Sequence, residues 1–202
     1  RCDTSPELTP RHSEVLKPPS PTWQQSVRGF VKCSIENLWS HRGEGALEWL
    51  RGRGLSDETI QEARLGYNPS DNWVGWDAWG LEARDNSRGV WLPRGVVIPW
   101  EIDGSFWRVN IRRPLARQEI EQGDAKYVGV AGSRNALYNA CALAVGQPAI
   151  LVEGEFDALA INQQAPDLIT AVATGSTTWS RQPPWIARLA LCSRVLVAYD
   201  AE

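Results

Sequence analysis

The chain has 202 residues, a net charge of −3, and 43% hydrophobic and 22% charged residues. That is an ordinary globular composition, long enough for one medium domain or two small ones, and its mild acidity argues against a protein that grips nucleic acid by bulk charge. A secretory signal is missing, as is any apolar run long enough to cross a membrane, so the expected location is the cytoplasm with no membrane partner. The sequence holds no methionine, which leads us to expect a piece of a longer protein.

Residues 1–22 are rich in proline and polar side chains (Pro6, Pro10, Pro18, Pro19, Pro21) and read as a linker or extended arm. Trp23 to Ser40 reads as an amphipathic helix with Val27, Phe30, Val31, Leu38 and Trp39 on or near one face. A second helix spans Gly45 to Arg51, closed by Gly52 or Gly54. Ser56 then caps a short helix whose first turn holds Asp57 and Glu58 and which ends near Gly66. The tryptophans of Trp73-Val-Gly-Trp76-Asp-Ala-Trp79 suit either packing in a small lobe or stacking on bases; packing is the commoner use of such rings.

Trp91 to Pro114 reads as a hairpin. Val96 to Ile102 forms one strand, Asp103-Gly104 is a tight-turn dipeptide, and Ser105 to Arg112 returns. Alternation puts Phe106, Arg108, Asn110 and Arg112 on one face and Trp107, Val109 and Ile111 on the other, so one basic and one packed face are expected. The stretch from Ser105 to Gln118 carries Arg108, Arg112, Arg113 and Arg117 and no acid.

Beyond residue 145 the pattern changes. Ala149-Ile-Leu-Val152 and Val195-Leu-Val-Ala198 are short apolar runs of the kind found in parallel strands buried on both faces. Each ends in acids: Glu153-Gly154-Glu155-Phe156-Asp157 and Asp200-Ala201-Glu202. Between them lie a helix over Glu155 to Gln164, with Phe156, Leu159 and Ala160 on its apolar face, and a strand over Leu168 to Ala173. The hydroxyl-rich loop Thr174 to Thr178 and a helix over Ser180 to Leu191, presenting Trp185, Ile186 and Leu189, follow. Strand, helix, strand, helix, strand with right-handed crossovers gives a parallel sheet covered on both faces. Ligands gather at the carboxyl ends of such strands, where Glu153, Asp200 and Glu202 would stand. Clustered carboxylates need a cation between them, and an all-oxygen set suits Mg²⁺. The four cysteines (Cys2, Cys33, Cys141, Cys192) and two histidines (His12, His41) lack zinc-site spacing; no zinc and buried or inert thiols are expected.

The two acidic motifs, in this order, resemble the TOPRIM domain of bacterial DnaG-type primases, topoisomerases and related nucleases. Asp200-Ala201-Glu202 departs from that family's Asp-x-Asp by one methylene, and Glu202 can still ligate Mg²⁺. The run from Ala46 to Pro69, with Arg53-Gly-Leu-Ser56 and Leu65-Gly-Tyr67, resembles the segment that opens the DnaG-type catalytic core. Arg112, Arg113, Lys126 and Tyr127 occupy the places of that family's basic hairpin end and Pro-Lys-Tyr segment, and Arg134 that of the basic residue before Leu-Tyr. The resemblance covers roughly residues 23 to 202.

The resemblance implies an α/β fold. An α+β amino-terminal basic lobe over 23–145 would be followed by a carboxy-terminally truncated, Rossmann-like TOPRIM sheet over 146–202. It implies a DNA primase, a nucleotidyltransferase that copies single-stranded DNA into short RNA primers from nucleoside triphosphates, with a replicative helicase as partner of the full-length protein. Glu153 and Asp200 would be catalytic, and Glu153, Asp157, Asp200 and Glu202 would hold Mg²⁺ (or Mn²⁺). Arg108, Arg112, Arg113, Lys126 and Arg134 would bind template and nucleotide. The carboxylates alone leave two alternatives open: a TOPRIM nuclease, or an inactive nucleic-acid-binding module of a mobile-element replication protein.

Overall fold

A computed structural model describes residues 16–83, 87–175, 180 and 182–199. Helix α1 (Pro21–Leu38) starts two residues earlier than its apolar pattern suggests, because Ser20 accepts from the Trp23 amide (3.3 Å) and Pro21 suits the first turn. Its buried residues Trp23, Val27, Val31, Ser34 and Leu38 recur at the helical period. Helix α2 (Glu44–Gly52) follows, then α3 (Asp57–Glu62), capped by Ser56 as expected.

Strand β1 (Gly66–Asn68) joins a hairpin of β4 (Gly95–Ile102) and β5 (Ser105–Arg112), and β6 (Tyr127–Gly129) completes an antiparallel sheet in the order β1-β4-β5-β6. A side ribbon pairs β2 (Asn72–Val74) with β3 (Val90–Leu92). Helix α4 (Arg117–Glu121) lies in the β5–β6 connection. Trp79 is buried and Trp76 packs against the same core, so these rings are filling. Trp73 is 46% exposed and stacks on its cross-strand partner Trp91 (centroids 5.9 Å apart).

The hairpin departs from simple alternation. Trp100 pairs with Arg108 but Glu101 with Phe106, so Trp107 is an extra residue, a β-bulge. Phe106 therefore joins Val109 and Ile111 in the core under α1, while Trp107 joins Trp100 and Ile98 on the opposite side. Both faces are packed. The expected basic face, that of Arg108, Asn110 and Arg112, also carries Val96, Ile98 and Trp100 from β4, and Phe106 does not belong to it.

The second sheet is parallel, in the order β8-β7-β9, built from β7 (Pro148–Val152), α5 (Glu155–Gln164), β8 (Thr170–Ala173), α6 (Pro183–Ala190) and β9 (Arg194–Ala198). Central β7 and β8 are apolar and largely covered. Strand β9 is not buried: Val195, Leu196 and Val197 are 37%, 45% and 62% exposed, because it is an edge strand with nothing packed on it among the described residues. Ile186 of α6 is likewise exposed, while Trp185 is buried edge-on against Trp107. On α5 it is Ala158, rather than Ala160, that is buried with Phe156 and Leu159. Cys33 and Cys141 are exposed rather than buried. No helix among the described residues is long and apolar enough to cross a membrane.

The two sheets share one core. Trp100, Trp107 and Tyr138 pack in a single cluster with Val152, Phe156, Ala171 to Ala173 and Trp185. Tyr138 exchanges backbone hydrogen bonds with Ala173, at 2.9 and 3.3 Å, on the outer edge of β8. Arg188 of α6 also pairs with Asp103 at the hairpin tip.

Candidate active site at the carboxyl edge of the parallel sheet

The apolar run of β7 ends at Val152, and Glu153 follows at the sheet edge, half-buried. Gly154 is the N-cap of α5, and a Cβ there would stand 2.8 Å from Oδ2 of Asp157, so the glycine makes room for that carboxylate at the positive end of the helix. The loop after β8 is tied to the same edge: the Thr174 amide donates to the Val152 carbonyl (3.1 Å) and the Gly175 amide to that of Glu153 (2.8 Å). Gly175 has φ +72°, and a Cβ there would meet the Trp100 ring at 2.8 Å. Strand β9 ends level with β7, Val152 opposite Ala198. Asp200 and Glu202 lie outside the described residues, and among those described no three metal-ligating side chains converge.

Glu155, read from the sequence only as a first-turn acid, is 3% exposed. Oε1 accepts from Asn110 Nδ2 at 2.5 Å and from Trp100 Nε1 at 3.1 Å. It thus pins the start of α5 to the arginine-bearing face of the antiparallel sheet. Arg108 stands beside it, donating through Nε to Asn110 Oδ1 (2.7 Å); burial lowers its pKa and the Glu155 charge opposes that. A second acid set directly before Phe156 in the Glu-Gly-Glu run was the available signal.

Arg112 lies flat on Trp49, its guanidinium carbon 4.0 Å from a ring centroid. Arg53 covers both Trp49 (5.2 Å) and Phe156 (5.1 Å), which brings it to the first turn of α5. Lys126 is close by, its pKa lowered by burial and by the charges of Arg112 and Arg53. Arg108, Arg112 and Lys126 therefore cluster near the Glu153 turn together with Arg53, which sequence reasoning placed in a segment signature without a role. Arg113, one residue out of phase, turns away to Asp124 (3.5 Å) and Trp91 (5.2 Å). Arg134 is exposed at a separate cavity beside Ser20 and Trp23.

No family model matches the chain. A 57-residue stretch, 28% of the chain, is 46% identical to 9% of the DNA primase of Deinococcus radiodurans. Several solved structures share the fold, and three represent them. They are a DnaG primase catalytic domain bound to single-stranded DNA (TM-score 0.67, 21% identity, 90% of this chain), the Escherichia coli primase catalytic core (0.67, 21%, 89%) and the RNA polymerase domain of Mycobacterium tuberculosis primase DnaG (0.67, 18%, 89%). The chain spans 62%, 62% and 66% of those chains. The fold is that of the DnaG-type primase catalytic core, as the sequence resemblance implied.

Proposed function

We propose that the chain carries the core of a DNA primase, which joins ribonucleotides on a single-stranded DNA template. The carrying observation is the placement of the Glu153-Gly154 turn. It stands at the carboxyl edge of a parallel sheet, next to a helix start that Glu155 holds against Asn110 and Trp100, beside Arg108, and that Phe156 packs against Trp49, which carries Arg53 and Arg112. Acid for a cation and base for phosphates thus meet in one place. The lobe over 23–145 binds template and nucleotide, and the TOPRIM unit over 146–202 holds the reacting end.

Among the described residues, the donors at that edge, Glu153 and Asp157, are carboxylates with no imidazole or thiolate beside them, a hard-oxygen set that fits Mg²⁺ or Mn²⁺. Glu153, with Asp200 and Glu202, would hold the ion, and Asp157 is an accessory acid at the helix start. When bound, the ion supplies positive charge to the phosphates and lowers the pKa of the attacking hydroxyl. The 3′-hydroxyl of the growing strand attacks the α-phosphorus of a nucleoside triphosphate, and pyrophosphate leaves. Arg108, Arg112 and Lys126 orient phosphates of nucleotide and template, Arg134 at its separate cavity meets only template, and Arg113, already paired with Asp124, adds only long-range charge. A helicase partner and a cytoplasmic setting belong to the same proposal.

The test is Glu153→Gln in the full-length protein, assayed for incorporation of labelled ribonucleotides on single-stranded DNA beside a nicking assay. Synthesis should vanish while the thermal midpoint stays, since the half-buried Glu153 side chain has no buried partner among the described residues. Cleavage without incorporation by the unmodified protein would establish a nuclease instead.

A further inference from the structure

Helix α5 is fastened to the α2–α3 unit at two points. Phe156, in its first turn, packs edge-on against Trp49 of α2, with ring centroids 5.4 Å apart. Gln163 stands two helical turns further on, along the same face. Its side-chain amide takes hold of the loop between α2 and α3. Oε1 accepts from the Ser56 amide and Nε2 donates to the Gly54 carbonyl, both at 2.8 Å. Leu55, between the two bonded residues, is buried in the shared core. The loop cannot shift along α5 without breaking both bonds.

Arg53 is the side chain that this fastening places. It caps the end of α2, its backbone amide donating to the Trp49 and Leu50 carbonyls (3.1 Å each), and it directly precedes Gly54. Its guanidinium lies over the rings of Trp49 and Phe156. Among the described residues, no ion pair involves Arg53. Its charge acts instead on two other cations, Arg112 and Lys126. Like charges at close quarters repel, so an Arg53 released from its turn would swing away into water. The two ring contacts oppose this, and both require the backbone behind Arg53 to stay where it is.

We infer that Gln163 is a positioning residue, whose amide fixes the 54–56 turn and so keeps Arg53 at the start of α5, beside Arg112 and Lys126 and next to the Glu153 turn. It acts from the far end of α5, through the backbone of the turn. Its neighbour Asn162 makes the same kind of paired contact elsewhere. Oδ1 of Asn162 accepts from the Ala171 amide (2.8 Å) and Nδ2 donates to the Ala171 carbonyl (2.9 Å), which anchors α5 to β8 and bears on no arginine. The two adjacent amides thus separate anchoring of the helix from placement of Arg53. That a well-placed Arg53 serves phosphate transfer rests on the proposed function; that Gln163 places it does not.

The test is the titration of Lys126, followed by carbon NMR of isotope-labelled lysine in the full chain, whose other lysines are Lys17 and Lys32. Burial, Arg112 and Arg53, in that order, hold the Lys126 pKa below the ordinary lysine value of 10.5. Arg53→Gln removes one of these charges and should raise the midpoint. Gln163→Met keeps the length of the side chain and loses both hydrogen bonds, and it should move the midpoint the same way. The double variant should go no higher than Arg53→Gln alone, because both changes withdraw the same charge. Asn162→Leu loses two comparable bonds to β8 and is the control for stability. Its thermal midpoint should fall as in Gln163→Met while Lys126 titrates as in the parent. In the full-length protein, incorporation of labelled ribonucleotides should drop about tenfold in Arg53→Gln and in Gln163→Met, and hardly further in the double variant. The inference falls if Lys126 moves in Arg53→Gln but not in Gln163→Met, if it moves in neither, or if Asn162→Leu moves it as far as Gln163→Met. It falls equally if the double variant loses synthesis by the product of the two single losses. A coupled Lys126 titration in a parent protein that joins no ribonucleotides would keep Gln163 in its role and overturn the proposed function instead.

Discussion

Replacing Glu155 by alanine removes the acceptor that joins the parallel sheet to the antiparallel one. Two buried donors, Asn110 Nδ2 and Trp100 Nε1, lose their partner, and Arg108 loses the nearest charge that offsets its own burial. A stranded buried donor costs about 1–3 kcal/mol. Loss of the Glu155 charge, which partly offsets the burial of Arg108, adds a smaller cost. These terms overlap because Arg108 keeps Asn110 Oδ1, so the expected loss for Glu155→Ala is about 4 kcal/mol, a large share of a typical domain's stability. Glu155→Gln keeps the shape and an acceptor oxygen and gives up only the charge, so it should cost about 1–2 kcal/mol. Urea unfolding followed by tryptophan fluorescence measures both, with Trp100 reporting from the site itself. An alanine variant within about 0.5 kcal/mol of the parent, or one more stable than the glutamine variant, would refute the clamp.

Arg112→Ala should weaken single-stranded DNA binding and flatten its salt dependence by about one counterion, whereas Arg113→Ala, its charge already spent on Asp124, should do less; anisotropy titrations at several salt concentrations read the difference. Gly175→Ala meets both a left-handed backbone (φ +72°) and the Trp100 ring, so a loss of about 1–3 kcal/mol is expected in thermal unfolding. Asp57, hydrogen-bonded and ion-paired to Arg51, should titrate below the ordinary aspartate value of 3.8. A depressed carboxylate contributes stability above its unfolded pKa and loses it as pH falls through the folded one. Carbon-detected NMR titration should therefore show the Asp57 midpoint rising towards 3.8 in Arg51→Ala.

Local signals carried much of this architecture. Ser56 as a cap, Asp103-Gly104 as a hairpin turn, and the apolar run of β7 breaking at Glu153-Gly154 are each written within a few residues, and the structure has them where the sequence puts them. What alternation could not show was the bulge. An extra residue at Trp107 shifts the phase of everything before it, and no pattern in Phe106-Trp107-Arg108 distinguishes a bulge from regular pleating. The two packed faces of the hairpin were hidden for a related reason. Arg108 and Arg112 look solvent-facing until β4 lays Trp100 and Val96 beside them and α5 brings Glu155. Exposure of β9 depends on what packs across it, which an apolar tetrapeptide does not encode. At the candidate site, Glu153 was legible because its chemistry sits in one turn. Trp49 and Arg53 were not, because helix packing brings them to the start of α5 from separate segments.

The shared core makes the chain a poor candidate for dissection. A cut at residue 145 would leave Trp100, Trp107 and Tyr138 without Val152, Phe156 and Ala173, and would strip the β8 edge of its bridge to Tyr138. Neither fragment could then hide its aromatic rings from water. Heating should dismantle both sheets in a single cooperative step, with calorimetric and van't Hoff enthalpies in agreement. Relative motion of the Glu153 edge and the arginine face is correspondingly expected to be confined to side chains and loops, so the groups assigned to the proposed reaction would already be held in place before a substrate arrives.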